Sequence, residues 1–278
     1  MPQETIVPPT TLSEPTSMPD VQSRSDHRDL AIDRVGVTGI RFPATLAVRD
    51  GGTDNSMATV ATVNMFVALS AERKGTHMSR FLELLNEYRD GLSPNRVVEL
   101  CRHIRAELDA ERAHVELSFP YFIPKQAPAT KRVGLMDYEA SIVCESTATQ
   151  DDVVLGVTVP ATSLCPCSRE ISDYGAHNQR CLIRAEARFT GTVWIEELVE
   201  YAEQSASCPV YSVLKRPDEK VVTEQAFDNP KFVEDIVRDL ATLLESDERI
   251  TWFHARSENH ESIHSHNAWA EITRYTDR

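Results

Sequence analysis

Apolar residues recur along the chain with two different periods, and these periods predict its strands and helices. In the segment near 57–72, every second residue from Val63 onward is apolar, which is typical of a half-buried strand. In the segment near 94–109, which follows Ser93 and Pro94, apolar residues instead recur at helical spacing. After an earlier extended segment, the first half is predicted to contain a strand near 57–72, helices near 77–90 and 94–109, and strands near 113–123 and 133–146.

The second half of the chain repeats this order of elements. A helix is predicted to open at Asp228-Asn229-Pro230, because a capping residue stands just before a proline of the first turn. The other predicted elements are strands near 151–161 and 181–193, a helix near 195–205, an irregular stretch from Cys208 to Phe227, and strands near 249–256 and 265–274. The order ββααββ thus occurs twice, which favours an α+β fold with antiparallel sheets and helices on one face.

Residues 1–30 are predicted to be a disordered tail ahead of two modules. They are rich in Pro, Ser, Thr and acidic residues and hold few large apolar groups, so they cannot bury enough surface to offset chain entropy. We expect the ordered chain to begin near Ile32. The first module is assigned to residues 31–148 and the second to residues 149–278.

Charge and composition narrow the classes of function. A formal net charge of −14 on 278 residues argues against a general nucleic-acid binder and against a binder of anionic membranes, since both need basic surface. A local cluster of Lys and Arg can still bind a small polyanion. No apolar run reaches about 18 residues, so we expect no membrane span. The N-terminus lacks the regions of a secretory signal, and a cytoplasmic location is therefore expected.

In a reducing compartment, the six cysteines are expected to be free thiols or metal ligands. Cys101 and Cys144 lie in apolar-patterned segments, and Cys181 enters a predicted strand, so we expect all three in the core. Cys208, which precedes Pro209, is expected to be structural.

The segment from Cys165 to His177 carries the most informative chemistry. Cys165 and Cys167 flank Pro166, whose fixed φ and missing N–H predict a rigid loop, and Gly175 permits a sharp turn before His177. A thiolate and an imidazole suit Zn²⁺ or Fe²⁺. No second CxxC or HxxxH pattern is present, which favours a site with few protein ligands that keeps a position for water and lowers its pKa. Buried thiols or a redox pair are the alternative interpretation.

Two further polar segments are candidates for function. Residues 72–80 put three permanent cations and a histidine between a predicted strand and a helix N-terminus, which favours phosphate binding; an ordinary solvated turn is the alternative. Residues 258–266 hold three His and two Glu, which suits proton transfer near neutral pH; a polar surface hairpin is the alternative.

Two acidic residues are ambiguous from the pattern alone. Glu219 lies in the segment 215–220, which is interpreted as a surface turn. Glu234 lies on the predicted helix after residue 228 but outside its apolar stripe, so it faces either solvent or a partner subunit.

Seven separated blocks of the chain are distinctive when taken together. They are residues 46–52 (LAVRDGG), 71–81 (AERKGTHMSRF), 163–168 (SLCPCS), 174–180 (YGAHNQR), 207–211 (SCPVY), 228–235 (DNPKFVED) and 258–266 (ENHESIHSH). In this order they resemble the prokaryotic type IB GTP cyclohydrolase I family. The resemblance runs from about residue 35 to the end of the chain and leaves only the tail outside.

That resemblance implies a tunnelling fold with two modules in each chain, assembled as a homotetramer with active sites between subunits. The implied reaction converts GTP and water to 7,8-dihydroneopterin triphosphate and formate, the entry step to folate and, in many bacteria, to queuosine. One divalent metal ion, Zn²⁺, Mn²⁺ or Fe²⁺, is implied for each active site, with no organic cofactor. GTP is then the small-molecule partner, and neither nucleic acid nor a membrane is involved.

The resemblance also implies roles for single residues. Cys165 and His177 are implied as metal ligands, and Glu219 matches a glutamate that coordinates the metal when substrate is absent. Cys167 matches a second thiol that lies near the substrate. Glu234 matches the glutamate that anchors the guanine edge.

The remaining implied residues bind the substrate or transfer protons. The polar cluster for binding and proton transfer is matched by Glu261, His264 and His266. We extend the match to a triphosphate cradle formed by Arg73, Lys74, His77 and Arg80.

Two other functions are compatible with the residues. One is a tunnelling-fold reductase that uses cysteine as a covalent nucleophile towards a nitrile, with a nicotinamide cofactor and no metal. The other is a binding module without catalytic activity whose metal is caged by the protein. The missing four-ligand spacing argues against the second.

Overall fold

A single antiparallel sheet organises the chain, which a computed structural model describes for residues 20–22, 24–49 and 56–276. The strands of this part are β1 (Ile32–Ala47), β2 (Ser56–Leu69), β3 (Arg112–Gln126), β4 (Val133–Thr147), β5 (Asp151–Leu164), β6 (Asn178–Phe189), β7 (Cys208–Pro209), β8 (Ile250–Asn259) and β9 (Ala268–Tyr275). Their order in the sheet is β1-β2-β3-β4-β5-β6-β8-β9, and the short β7 pairs with β5. Each pairing is antiparallel.

Helices cover one face of this sheet. They are α1 (Met78–Glu87), α2 (Pro94–Glu107), α3 (Pro166–Ile171), α4 (Ile195–Ser205), α5 (Arg216–Asp228) and α6 (Val233–Ser246). Alternate residues of the strands, such as Val115, Val157 and Ala185, share one hydrophobic core with the apolar sides of α1, α2, α4 and α6. The antiparallel α+β architecture predicted from the alternation is therefore confirmed.

The other face of the sheet is polar where β4, β5 and β6 meet. Arg184 donates hydrogen bonds to Thr158 Oγ1 at 3.1 Å, Ser141 Oγ at 3.0 Å and Glu186 Oε1 at 2.7 Å. Because successive side chains of a strand point to opposite faces, this network lies on the face opposite the core. The strands thus have one apolar side and one hydrated side.

The strand directions separate two ends of the sheet. One, which we call the Leu164 end, is where β5 finishes and β6 begins; the turn between β3 and β4 and the connection from β8 to β9 lie there as well. The other, which we call the Leu69 end, is where β2 finishes and β3 begins. β5 has 14 residues, so the two ends are on the order of 40 Å apart along the strands.

Three predictions about the helices need correction. The stretch expected to be irregular contains α5, whose Val222 and Ala226 pack against Leu164 and Cys208. Asp228-Asn229-Pro230 does not start a helix, because Asn229 is the C-cap of α5. The next helix has Phe232 as its N-cap, and Asp235 accepts a hydrogen bond from that residue's N–H at 3.0 Å. With α3, β7 and α5 added, the second half departs from the order ββααββ, whereas the first half follows it.

The predicted tail is partly ordered. Residues 24–30 and 20–22 are described, and Asp26 donates its N–H to Glu72 O at 2.9 Å. Lys74 and Gly75 donate theirs to the carbonyls of Arg24 at 3.0 Å and of Gln22 at 3.2 Å. The prediction of disorder is therefore wrong for this part, because the backbone pairs with the segment after β2. For residues 1–19 and Ser23, the prediction lies outside the described residues.

Within the described part of the chain, no helix is long and apolar enough to cross a membrane.

Candidate active site

Cys165 and His177 face each other at the Leu164 end of the sheet. Leu164 of β5 pairs with Asn178 of β6, so the next position of this antiparallel ladder places Cys165 opposite His177. The Cys165 N–H donates to the His177 carbonyl at 3.1 Å. Residues directly opposite in an antiparallel pair point to the same face, with Cβ atoms about 5 Å apart. The eleven intervening residues therefore bring a thiol and an imidazole to one place.

The thiol of Cys165 is held by its surroundings. It caps the short helix α3, and its Sγ accepts the Ser168 N–H at 3.5 Å. The preceding residue is fixed from both sides, because Leu164 donates to Ser207 Oγ at 3.1 Å and accepts from the Lys231 N–H at 3.0 Å. The Cys165 sulfur therefore has a defined position beside the Ser168 N–H.

A chain of polar side chains leads away from His177. The His177 Nδ1 lies 2.9 Å from Gln179 Oε1, and Gln179 Nε2 donates to Glu261 Oε1 at 3.3 Å. The other oxygen of Glu261 lies 3.6 Å from His264 Nδ1. The rings of His264 and His266 stack with centroids 5.2 Å apart. The structure thus connects the predicted metal pair with the predicted proton-transfer cluster.

The third predicted ligand does not complete a cluster within this chain. Among the described residues, no three His, Cys, Asp or Glu side chains are grouped closely enough to hold a metal ion. Glu219 is exposed on the first turn of α5. It lies on the same side of that helix as Val222 and Ala226, which pack towards Leu164. Glu219 therefore belongs to the same region but not to the same group of side chains.

Glu234 also belongs to the Leu164 end. It is exposed in the first turn of α6, three residues after Lys231, whose N–H donates to the Leu164 carbonyl at 3.0 Å. That bond attaches the start of α6 directly beside Cys165. A carboxylate in the first turn of a helix is favoured by the helix dipole.

Several large apolar side chains are exposed around this group. Cys167 is exposed, and so are large side chains from α3 and its surroundings, namely Ile171, Tyr174, Phe232 and Ile263. Val133 and Leu135, at the start of β4, are exposed at the same end. Clustered exposed apolar side chains indicate an interaction surface, and here they border the candidate site.

The predicted triphosphate cradle lies at the Leu69 end. Arg73, His77 and Arg80 line a cavity of about 300 Å³ together with the end of α2. Arg73 forms an ion pair with Asp109 and donates to the Leu108 carbonyl at 3.0 Å. The structure thus brings three of the four predicted cradle residues together, but Lys74 does not line this cavity.

Within one chain, the cradle and the Cys165–His177 pair cannot meet on one substrate molecule. They lie at opposite ends of strands that are on the order of 40 Å long, far beyond the length of a nucleoside triphosphate. A site that uses both needs a second chain.

Sequence reasoning missed two buried polar residues of this region. Gln179 is 7% exposed; it stands two residues after His177, so strand periodicity places the two side chains on one face. Asp218 is 0% exposed and accepts hydrogen bonds from the N–H groups of Ala129 at 2.9 Å and Thr130 at 2.7 Å. Its charged sequence neighbours gave no signal of burial.

The remaining thiols are structural. Cys101, Cys144, Cys181 and Cys208 are buried and free, as predicted. Burial raises the pKa of Cys181 to about 12 and that of Cys208 to about 11. The thiols of Cys181 and Cys208 are therefore protonated at neutral pH and unreactive. Cys165 and Cys167 are the two cysteines that are not buried.

Comparison with known structures supports the antiparallel fold. The uricase of Arthrobacter globiformis superposes with a TM-score of 0.55 and 9% sequence identity, over 88% of this chain and 94% of that one. A uricase from Bacillus fastidious gives a TM-score of 0.53 at 8% identity, over 90% and 94% of the two chains. At such identities the likeness concerns the fold alone.

Comparison with known sequences identifies the family of the chain, which the structural superpositions do not. The sequence profile described as "Type I GTP cyclohydrolase folE2" matches residues 18–270. The protein named GTP cyclohydrolase FolE2 in Magnetococcus marinus is 53% identical over 91% of this chain and 94% of its own length. The protein of the same name in Syntrophobacter fumaroxidans is 52% identical over 92% of this chain and 99% of its own length. The match begins before residue 35, where the resemblance was expected to start, and includes the ordered part of the predicted tail. The chain therefore belongs to the type I GTP cyclohydrolase FolE2 family.

Proposed function

We propose that the protein is a metal-dependent GTP cyclohydrolase that converts GTP and water to 7,8-dihydroneopterin triphosphate and formate. The observation that carries this proposal is the opposition of Cys165 and His177 at the end of β5 and β6, in a chain that belongs to the FolE2 family. The reaction is the first step of folate biosynthesis, and its product can also serve queuosine formation.

The donor groups fit a divalent metal ion. Because Gln179 Oε1 can only accept, His177 must carry its proton on Nδ1, and the lone pair of Nε2 is then available to a metal. Cys165 offers sulfur from the same face. Such a mixed donor set suits Zn²⁺, Mn²⁺ or Fe²⁺, and we propose that Glu219 joins it when no substrate is bound. When bound there, such an ion activates water for attack at neutral pH.

The other residues would bind the base and move protons. A carboxylate at Glu234 can accept two hydrogen bonds from the guanine N–H groups, which would reject adenine. Glu261 and His264 stand next to each other and can pass a proton to the departing ring nitrogen. His266 extends this route, and the exposed Cys167 would lie beside the substrate.

The triphosphate would be bound by a second chain. Arg73, His77 and Arg80 surround one cavity, and their charge offsets that of phosphate in an otherwise acidic protein. Since this cavity lies at the Leu69 end, we propose that it serves the Cys165–His177 pair of another subunit. The exposed apolar residues around the site support such an interface, and a homotetramer with active sites between subunits is the proposed assembly.

The two halves of the chain are proposed to be tandem modules of a tunnelling fold, residues 31–148 and 149–278. The polar face around Arg184 suits the wall of a water-filled tunnel. Six free thiols support a cytoplasmic location. GTP is the proposed small-molecule partner, and the proposal includes no organic cofactor.

The test is formate release from GTP. Protein loaded with Zn²⁺, Mn²⁺ or Fe²⁺ is incubated with GTP, formate is measured, and the product is oxidised and examined for neopterin fluorescence. Cys165→Ala and His177→Ala should each lower turnover by at least about a thousandfold while the melting temperature stays near that of the parent. Cys101→Ala, which changes a buried thiol on α2 away from the site, is the matched control.

Full turnover in either variant would refute the assigned roles. Metal-independent oxidation of NADPH with a nitrile substrate, and no formate from GTP, would instead support a reductase that uses Cys167.

A further inference from the structure

Gln179 stands between the two functional groups of the proposed site. Its amide oxygen lies 2.9 Å from His177 Nδ1, and its amide nitrogen donates to Glu261 Oε1 at 3.3 Å. One side chain thus touches both the histidine proposed to bind metal and the carboxylate proposed to move protons. Gln179 is not itself part of the hydrophobic core, which reaches Cys181 two residues further along β6.

The chemistry of the two neighbours fixes which way the amide points. A carboxylate oxygen of Glu261 can only accept a hydrogen bond, so the NH₂ group of Gln179 must face it. The amide oxygen then faces His177 and can only accept, so Nδ1 of His177 must be the protonated nitrogen. The lone pair of His177 is thereby left on Nε2. Glu261 therefore selects the tautomer of a histidine that it does not touch directly.

The backbone holds Gln179 in this position. It pairs with Ser163 across β5 and β6, and the hydroxyl of Ser163 accepts a hydrogen bond from Asn259 Nδ2 at 3.0 Å. Because Cys181 pairs with Asn259, the ladder brings Glu261 opposite Gln179. Gln179 as a whole is 7% exposed, so water competes little for its hydrogen bonds.

Ser262 is the only other described side chain with a hydrogen bond to the imidazole. Its Oγ lies 3.4 Å from the same Nδ1 atom, and Ser262 is exposed. A longer contact from an exposed hydroxyl can accept or donate, so it does not select a tautomer by itself. Gln179 carries that selection.

We propose that Gln179 is a positioning residue that couples Glu261 to the metal affinity of His177, an inference that rests on the function proposed above. Removing the Gln179 amide frees the imidazole to rotate and to take either tautomer. Removing the Glu261 carboxylate lets the Gln179 amide rotate, so the His177 imidazole is again free to take either tautomer. Partners that orient a metal-binding histidine in this way typically change metal affinity by 10- to 100-fold.

The experiment measures metal binding and not turnover. Full-length metal-free protein is titrated with Co²⁺ in competition with a chromophoric chelator, and the visible absorption of bound Co²⁺ is recorded. The proteins compared are the parent, Gln179→Met, Glu261→Ala and the double variant. Asn178→Ala, a neighbouring exposed residue of the same strand, is the matched control, and the melting temperature of each metal-free protein is measured as well.

We expect Gln179→Met to weaken Co²⁺ binding by about 10- to 100-fold, with a changed absorption spectrum. Glu261→Ala should weaken it in the parent but add little in the Gln179→Met background, because both act through one amide. Asn178→Ala should bind like the parent. If Gln179→Met does not fold, Gln179→Asn, whose amide is one methylene too short to reach both partners, replaces it in the same comparison, with the same results expected.

Three outcomes would overturn the inference. Unchanged Co²⁺ affinity in Gln179→Met removes the positioning role, and equal losses from Glu261→Ala in both backgrounds make Glu261 act directly on the ion. Absence of Co²⁺ binding by the parent would contradict both the inference and the proposed function. If the Co²⁺ affinities of the parent, the two single variants and the double variant are as expected but no formate is released from GTP, only the proposed function is contradicted.

Discussion

Asp218 illustrates how one buried carboxylate positions an element that carries a proposed ligand. It receives hydrogen bonds from Ala129 and Thr130 in the turn between β3 and β4, and from the Lys215 N–H at 2.9 Å. Burial raises the pKa of Asp218, but the hydrogen bonds from Thr130, Lys215 and Ala129 outweigh burial, so its pKa lies below the ordinary value. The first turn of α5, with Glu219 beside it, is thereby tied to the first half of the chain.

We predict that Asp218→Asn lowers the melting temperature at neutral pH. Because the pKa is depressed in the folded chain, Asp218 stabilises the fold fully above about pH 4, the value of an unfolded aspartate. That stabilisation is lost as the pH falls through the lower, folded-state pKa. The difference in melting temperature from the parent, measured by circular dichroism, should therefore shrink below about pH 4.

The control for this comparison is Asp228→Asn, which alters an exposed carboxylate at the other end of the same helix. It should change the melting temperature little at either pH. A loss for Asp218→Asn that is as large at pH 3 as at pH 7 would contradict the argument.

At the scale of elements, α6 holds the second half of the sheet through its apolar side. Leu240 is 0% exposed and belongs to the main core beneath β8 and β9. Leu240→Ala is predicted to lower the free energy of unfolding by about 2–5 kcal/mol, because it removes buried methyl groups and leaves a cavity. Urea denaturation monitored by tryptophan fluorescence measures this change.

Arg238→Ala is the matched control for Leu240→Ala, since it alters an exposed side chain on the same helix. It should cost less than about 0.5 kcal/mol. Equal losses in the two variants would show that α6 does not depend on its apolar side.

The strands were predictable from alternation, whereas α5 was not. Val115 and Leu117 alternate with His114 and Glu116, and the structure buries the apolar members. α5 offers only Val222 and Ala226 to a small satellite cluster, too few for a periodic signal. Its stability comes from distant hydrogen bonds to Asp218, which no local pattern encodes.

The candidate site was predictable in composition but not in geometry. The residue types between Cys165 and His177 indicated metal chemistry, and the family resemblance supplied the remaining roles. The opposition of the two side chains depends on the register of β5 and β6, which alternation leaves open by multiples of two residues. The separation of the cradle around Arg80 from this pair depends on strand direction and emerges only with the complete sheet.

At the scale of the whole molecule, the separation of the two ends predicts that chains with different defects rescue each other. Cys165→Ala leaves the Leu69 end intact, and Arg80→Ala leaves the Leu164 end intact. When the two inactive variants are coexpressed with different tags and purified as mixed oligomers, we expect formate release at about a quarter of the parent rate, from sites that draw one intact end from each chain.

The control is a mixture of Cys165→Ala with His177→Ala. Both changes lie at the same end of the same chain, so no combination of subunits restores a site and no activity should return. Absence of rescue in the first mixture as well would refute a cradle shared between subunits.

The two edge strands of the sheet expose a chain that remains alone to aggregation. Within the described residues, β1 and β9 each have one neighbouring strand. β1 runs for 16 residues, and only its end at 45–47 is also hydrogen-bonded on the outer side, to residues 89–92. Such a length of unpaired N–H and C=O groups is a template for any extended peptide. In the proposed assembly, a newly made subunit that has not yet bound its copies would thus be exposed to off-pathway β-pairing. Low expression and precipitation are therefore the first symptoms to expect from variants whose association is weakened.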